Sequence, residues 1–350
     1  MTIAIHISRR DDIHKYVLKS FLTAAETHPD DHFIFISDTP SITGMSLPGN
    51  CTPVHIGPEI KNGLLRYYWY NYKIPAILNR YHAEVLFTPR EVCSLNTEVP
   101  QVMLLSEIIP SRGGRREQLR KKYSEKAFRI GTFETAVHAR ASKLFPKKKL
   151  FNALHGLNTE TVVQNDENEH PYFAALINKH NKHEIVMLLK AFSLFKKWQR
   201  SSYQLKLIVN LQGHPDPVPN FSNYKYRNDV ELISNPDLKN TMATLANSFA
   251  IIQLFNAPEG SRTEIEAMHY GIPVISTCPE TLRQNYFGTS VLYAANSDAG
   301  IAEQLMRLYK DESTYRHFSN AAKEFAGQFS WQAGAETLYR IAGEAVAQRL

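Results

Sequence analysis

A short β-branched apolar run, TIAIHIS (2–8), is followed by DDIHKYVLKSFLTAAETHP (11–29), whose apolar positions recur at helical spacing, and then by a second apolar run, HFIFIS (32–37). Strand, helix and strand within forty residues is the signature of a parallel α/β sheet, because parallel strands need a crossover long enough to hold a helix. Further strands are expected at EVLFT (84–88), QVMLLS (101–106) and KLFNALHG (149–156), with helices over 64–81 and about 117–142. The polar run QNDENEHP (164–171) interrupts the pattern and reads as a linker. The alternation then restarts with YFAALI (172–177), a helix from His183 to Trp198, QLKLIVN (204–210), a short helix at 241–248 and FAIIQLF (249–255). A helix at 261–270, the strand PVIST (273–277) and two further helices complete it. Ser330 can cap a last helix, SWQAGAETLYRIAGEAVAQRL (330–350), which the second pattern does not need.

Length agrees with that division: 350 residues exceed what one hydrophobic core accommodates. Two α/β domains are expected, 1–163 and 164–329, with 330–350 as a separate C-terminal helix. In open α/β sheets ligands bind beyond the carboxyl ends of the strands, so the loops after the strands, lining a cleft between the domains, are where chemistry is sought. No apolar run approaches the roughly 18 residues of a membrane span, and MTIAIHISRRDD lacks a signal layout, so a cytoplasmic protein is expected. Cys51, Cys93 and Cys278 are too few and scattered for a disulfide framework or a zinc knuckle and read as reduced thiols.

The charge is uneven. Residues 1–156 hold 22 lysines and arginines against 14 carboxylates, although the whole chain is only +6. The surplus lies in SRGGRREQLRKKYSEKAFR (111–129) and FPKKK (145–149), where Arg112, Arg115, Arg116, Lys121 and Lys122 could meet anionic lipid or a phosphorylated substrate, or form a solvated helix face. No basic–aromatic alternation, zinc spacing or helix-turn-helix signal supports nucleic acid. HNKH (180–183) has no carboxylate or cysteine set to complete a metal site. The aromatic cluster YYWYNY (67–72) reads first as core or interface; its alternatives are a sugar-stacking platform and a lipid contact.

The densest chemistry lies in NAPEGSRTEIEAMHYGIPVI (256–275), a strand–loop–helix turn with Glu259, Glu264 and Glu266. Gly260 permits close backbone approach, and Ser261 or Thr263 can cap. The helix start offers unpaired N–H groups that suit a phosphate, while a carboxylate accepts two hydrogen bonds from adjacent sugar hydroxyls. Together they suggest a nucleotide sugar. The plain alternative is that acidic residues in a first helical turn merely complement the helix dipole.

The order PEGSRTEIEAMHYGIPVIST resembles the Glu-Gly turn, Glu-Ala-Met helix and Gly-x-Pro-Val strand of the family 4 retaining glycosyltransferases. ELISNPDLKNTMATLANSFAIIQLF and FSWQAGAETLYRIA are similar to that family's Leu-rich helix with buried strand and to its closing Phe-Ser-Trp helix; AEVLFTPREVCSLNTEVPQVMLLSEIIP resembles its first-domain segment more loosely. The resemblance implies a GT-B fold: two Rossmann-like α/β domains with parallel sheets facing a central cleft, and a C-terminal helix crossing back to the first domain. It implies a hexosyltransferase using a UDP- or GDP-linked sugar as co-substrate, with retention and without metal or cofactor, acting on a glycan or lipid-linked glycan. Polysaccharide or lipopolysaccharide biosynthesis at the inner membrane face, with peripheral attachment there, is the setting that follows.

Position by position, the resemblance assigns Glu266 to the ribose hydroxyls and Glu259 to the donor sugar, with Gly260, Ser261 and Arg262 along the sugar and diphosphate. Lys182, or next Lys179, takes the place of the lysine that neutralises the diphosphate, and no arginine stands in the expected place beside it. Three departures follow. Six residues separate Glu259 from Glu266 where the family has seven. Ser106 and Glu107 occupy the place of a His-Asp pair. The first loop is SRRDDIHK, with Arg9, Arg10 and His14 instead of a glycine nest. These departures motivate a second expectation, a GT-B-like subunit without turnover that binds a partner enzyme or glycan. A sugar-nucleotide epimerase of the same fold is a third.

Overall fold

The computed structural model describes residues 1–7, 14–39, 45–106, 108, 114–153, 156–157, 171–177, 182–209, 221–255 and 262–348. The chain divides into two compact units, Met1–Gly156 with Phe329–Leu350, and Leu157–Gln328. The polar run at 164–170 lies outside the described residues.

The first unit runs β1 (Thr2–Ile7), α1 (His14–Thr27), β2 (His32–Ser37), β3 (Cys51–His55), α2 (Gly63–Tyr68), α3 (Ile74–Arg80), β4 (Val85–Pro89), β5 (Gln101–Leu105), α4 (Arg115–Lys126), β6 (Arg129–Thr132), α5 (Thr135–Ala141) and β7 (Leu150–Asn152). Its seven strands are all parallel, in the order β3-β2-β1-β4-β5-β6-β7. Strands β1, β2, β4 and β5 are buried almost throughout, which is why each reads as a continuous apolar run.

The second unit runs β8 (Tyr172–Ile177), α6 (Lys182–Gln199), β9 (Gln204–Val209), β10 (Val230–Ser234), α7 (Leu238–Ala246), β11 (Ala250–Gln253), α8 (Arg262–Met268), β12 (Val274–Ser276), β13 (Leu292–Tyr293), α9 (Asp298–Lys310) and α10 (Glu312–Gly327). Six parallel strands lie in the order β10-β9-β8-β11-β12-β13. Both sheets are doubly wound: strand order reverses between β1 and β4 in one unit and between β8 and β11 in the other.

The last helix, α11 (Trp331–Ala347), belongs to the first unit. Ser330 caps it, its hydroxyl accepting from the Ala333 N–H at 3.0 Å. Ala335, Leu338, Ile341, Ala342 and Ala345 bury one face in the same core as Val17, Phe21, Ala24 and Ala25 of α1. The Trp331 ring stacks on Tyr16 at 6.2 Å, and the Lys19 ammonium lies 4.4 Å over it. Gly156 makes that placement possible, since a Cβ there would stand 2.3 Å from the indole.

Four local expectations change. The segment read as one helix over 64–81 is α2 and α3 joined by a π-turn at Trp69–Lys73, which turns Trp69, Tyr70 and Asn71 inward together. The helix expected at about 117–142 is two helices around β6, whose Arg-Ile-Gly-Thr sequence is too short to show a strand period. The strand expected at 149–156 narrows to Leu150–Asn152. Strands β3 and β10 border their sheets, half-exposed, and so lack the apolar runs of the central strands. No helix among the described residues is long and apolar enough to cross a membrane.

Candidate functional site

In the second unit β8 and β11 are sheet neighbours at the reversal point, so the loops that leave their carboxyl ends start side by side. Residues 178–181 follow β8 and residues 256–261 follow β11. Lysine 182 opens α6 and Arg262 opens α8. The topology thus sets the ends of β8 and β11, from which these two segments depart, side by side on the sheet edge. Glu259, Gly260, Ser261 and Lys179 themselves lie outside the described residues, as do Arg9, Arg112 and Glu107.

The approach to the turn is pinned. Gln253, at the end of β11, accepts from the Ser276 hydroxyl at 2.6 Å, and the Phe255 N–H donates to Thr277 Oγ1 at 2.8 Å. The Thr277 N–H in turn donates to the Gln253 carbonyl at 3.1 Å. The chain leaving β11 is therefore laced to the chain leaving β12 by side chains buried away from solvent, which fixes the strand exit at Phe255. Phe255 also packs edge-on against Tyr286 at 4.8 Å.

Helix α8 carries two of the three carboxylates, and both are buried, Glu264 at 4% and Glu266 at 3% exposure. They are held differently. Glu266 Oε1 accepts from Arg262 Nε at 3.1 Å, one helical turn away, so the guanidinium sets the direction of that carboxylate. Glu264 has no such cation among the described residues. Its Oε2 is buried without a hydrogen-bond partner among the described residues, and burial pushes the group up to about 7, against the lesser effect of its own backbone N–H. Thr263 is half-buried in the first turn. The turn that follows the helix closes at Gly271, whose φ of +78° is left-handed and whose Cα faces Lys323 and Ser319 with no room for a Cβ.

In the first unit Ser106 is half-buried just past β5, at the carboxyl edge. Three residues at that same edge escape sequence reasoning. Arg90 follows β4 with φ 63°, a left-handed state that costs an L-residue roughly 1 kcal/mol, and its N–H donates to the Leu104 carbonyl at 2.9 Å. His6, on β1, is buried at 3% exposure, with Nδ1 at 2.6 Å from the Tyr70 hydroxyl. Burial, then the Arg66 cation, lowers the imidazole to about 4, so it is neutral at physiological pH. Asp38, just past the end of β2 and two residues beyond the His6 partner Ile36, is also buried and accepts from the Ile60 N–H at 3.2 Å. His6 Nε2 and Asp38 Oδ1 have no partner among the described residues. A histidine inside an apolar strand and an aspartate just beyond one give the sequence reader no periodic signal.

Arg115 and Arg116 open α4, and Lys121 and Lys122 on the same helix are exposed. Arg120 differs: it is buried and makes a two-pronged pair with Glu91 at 2.8 and 3.2 Å.

No protein-family model matches the chain, and no curated protein matches its sequence. Solved structures do. A glycosyltransferase from Rickettsia africae ESF-5 superposes with a TM-score of 0.70 at 13% identity, covering 99% of this chain and 98% of that one. The lipopolysaccharide outer core galactosyltransferase WaaB superposes at 0.63 and 12% identity, covering all of both chains. A putative UDP-N-acetylglucosamine 2-epimerase from Listeria monocytogenes gives 0.58 at 10% identity over 97% and 94%. The chain has the GT-B fold, two parallel α/β sheets with helices, over nearly its full length. Transferases and an epimerase share that architecture, so the chemistry must be argued from the site.

Proposed function

We propose that this protein is a glycosyltransferase that moves a hexose from a UDP- or GDP-linked donor to a glycan or lipid-linked glycan, with retention and without a metal. The observation that carries the reading is Glu266: a carboxylate buried on α8, aimed by Arg262, at the carboxyl edge of a sheet whose neighbouring loops are those assigned to the donor. A ribose presents two adjacent hydroxyl donors, and a directed carboxylate accepts both. In this reading Glu259 faces the donor sugar, and Gly260, Ser261, Arg262 and Thr263 lie along the sugar and diphosphate. Lys182, Lys179 and Arg9 offset the charge that develops on the departing diphosphate. Ser106 serves the acceptor side as a hydroxyl donor, since serine cannot take the protonated role open to a histidine.

That serine also favours a second reading, a GT-B-shaped subunit without turnover that binds a partner enzyme or glycan. One pair of measurements separates the two. The purified chain is screened by thermal shift against UDP- and GDP-sugars, where a ligand at a hundred times its Kd adds about 2.7 kcal/mol to the folded form. Any stabilising donor is then incubated with the chain, with and without glycan and lipid-linked glycan acceptors, and followed for release of the nucleoside diphosphate by transfer or by hydrolysis. Stabilisation with release supports the transferase, and stabilisation without release supports the binding subunit. Indifference to every nucleotide sugar overturns the transferase reading.

A further inference from the structure

A cavity of about 420 Å³ opens in the second unit between the end of α6, the segment leading into β9 and the turn Arg227–Asp229 that precedes β10. It lies at the amino edge of the sheet. The loops that follow β8 and β11 leave from the carboxyl edge, so the two places are at opposite edges of one parallel sheet.

Four cations line the cavity, Lys196, Lys197, Arg200 and Lys225, against one carboxylate, Asp229. That carboxylate is already engaged. The Lys196 ammonium, buried at 6% exposure, meets it at 3.0 Å and donates to the Ser201 and Tyr203 carbonyls at 2.5 and 3.2 Å, which occupies all its protons. Glu231, further along, is paired with Lys206 at 3.1 Å. Lys197, Arg200 and Lys225 are exposed and have no ion pair or side-chain hydrogen bond among the described residues. The walls that carry them are fixed. The Tyr224 hydroxyl donates to the Leu189 carbonyl of α6 at 2.8 Å, and the Lys196–Asp229 pair ties the same segment to α6 a few residues on. Ser201 Oγ, in the wall of the cavity, is buried without a hydrogen-bond partner among the described residues.

The plain reading of such lysines is that cations near a helix end complement its dipole. It accounts for Lys197, in the last turn of α6, but not for Lys225, which comes from another segment. Nor does it account for Arg200. That residue follows α6 with φ 49°, in the left-handed position where glycine is customary, and its N–H donates to the Lys196 carbonyl at 3.0 Å. A strained backbone position is thus occupied by a guanidinium that stands beside two ammonium groups. Three unpaired like charges around one concavity repel one another until an anion enters. A phosphate monoester concentrates about −1.5 to −2 charges and three acceptor oxygens in one small group, which matches three converging cations better than a single carboxylate does. A nucleic-acid strand needs a basic surface running on beyond one cavity. Tyr226, with the Lys225 ammonium 5.2 Å over its ring, lines the wall beside the cations.

We infer that this cavity binds a small soluble phosphate ester, with Lys197, Arg200 and Lys225 around the phosphate and Tyr226 against the organic part. The inference stands apart from the transferase reading, since no donor or acceptor enters it.

The test is calorimetric titration of the full chain with inorganic phosphate and with glucose 6-phosphate, compared with chloride at equal ionic strength. Saturable binding is expected for both phosphates and not for chloride. Arg200→Gly and Lys225→Gln should each weaken it about tenfold, the loss of one charge-assisted hydrogen bond. Arg200→Gly also separates binding from folding: glycine suits the left-handed position, so the melting temperature should hold or rise while the affinity falls. Four results overturn the inference: heats that match chloride; binding unchanged in both variants; binding lost in Lys182→Gln, at the other end of α6, and kept in Arg200→Gly; or phosphatidylglycerol vesicles, and not the soluble phosphates, binding through Arg200 and Lys225.

Discussion

Glu264 gives the sharpest energetic prediction. Its carboxyl is buried, Oε2 lacks a partner among the described residues, and burial holds the group near 7 against an ordinary 4.5. The folded chain keeps this proton in a range where the unfolded chain has released it. Stability from this group is therefore fully present below about pH 4.5, falls as pH rises toward 7, and is lost above that. The difference corresponds to about 3 kcal/mol. Glu264→Gln keeps the shape and removes the titration. Relative to the parent protein it should be nearly neutral at pH 5 and more stable by up to about 3 kcal/mol at pH 8, less whatever its amide loses by burial. For a unit of this size that is a rise in melting temperature of roughly 6–12 °C. Thermal melts of both proteins from pH 5 to pH 8 read it directly. A difference in melting temperature that is the same at both ends would refute the reasoning, because the proton on Glu264 would then not be linked to folding.

Other consequences follow from particular contacts. His6 is the mirror case: its folded value of about 4 lies below an ordinary 6.5, so its contribution is complete above pH 6.5 and lost as pH falls toward 4, about 3 kcal/mol in all. Denaturant midpoints of His6→Gln should accordingly lose part of the parent's acid slope in that window; an unchanged slope contradicts this. Gly156→Ala drives a Cβ into the Trp331 indole and should cost ~1–3 kcal/mol, read as a lower melting temperature. Glu91→Ala deprives the buried Arg120 of its two-pronged carboxylate and should cost about 3 kcal/mol, whereas replacing both by apolar residues should cost less. Equal losses in the single and double variants would count against that.

The readable part of the fold was its centre. TIAIHI, HFIFIS and YFAALI are apolar without interruption because helices cover both faces of those strands, and that pattern survives in sequence alone. The borders are hidden for the converse reason: Cys51–His55 carries a proline and faces solvent in part, as only a border strand can. The break of one expected helix around Arg129–Thr132 is a tertiary effect, since those four residues become a strand only because β5 and β7 pair with them. At the site, the order of residues and its family resemblance pointed to Glu266, whereas residue type alone does not distinguish it from Glu264, two positions away. The distinction is geometric: Arg262 stands one turn from Glu266 and reaches it, while Glu264 is buried without a cation among the described residues. His6, Asp38 and Arg90 are polar or strained positions inside otherwise ordinary strands and turns, visible only once β1, β2 and β4 lie side by side.

The account rests on Glu266 as the acceptor for the donor's ribose hydroxyls. Isothermal titration of the strongest-binding nucleotide sugar from the thermal-shift screen, into the parent protein and into Glu266→Gln, tests it most directly. Hydrogen bonds to a charged acceptor contribute about 1.5–3 kcal/mol, so the substitution should weaken binding by roughly ten- to a hundredfold, while a 2′,3′-dideoxyribose analogue of the same donor should bind both proteins with equal, weakened affinity. Full donor affinity in folded Glu266→Gln would contradict the assignment.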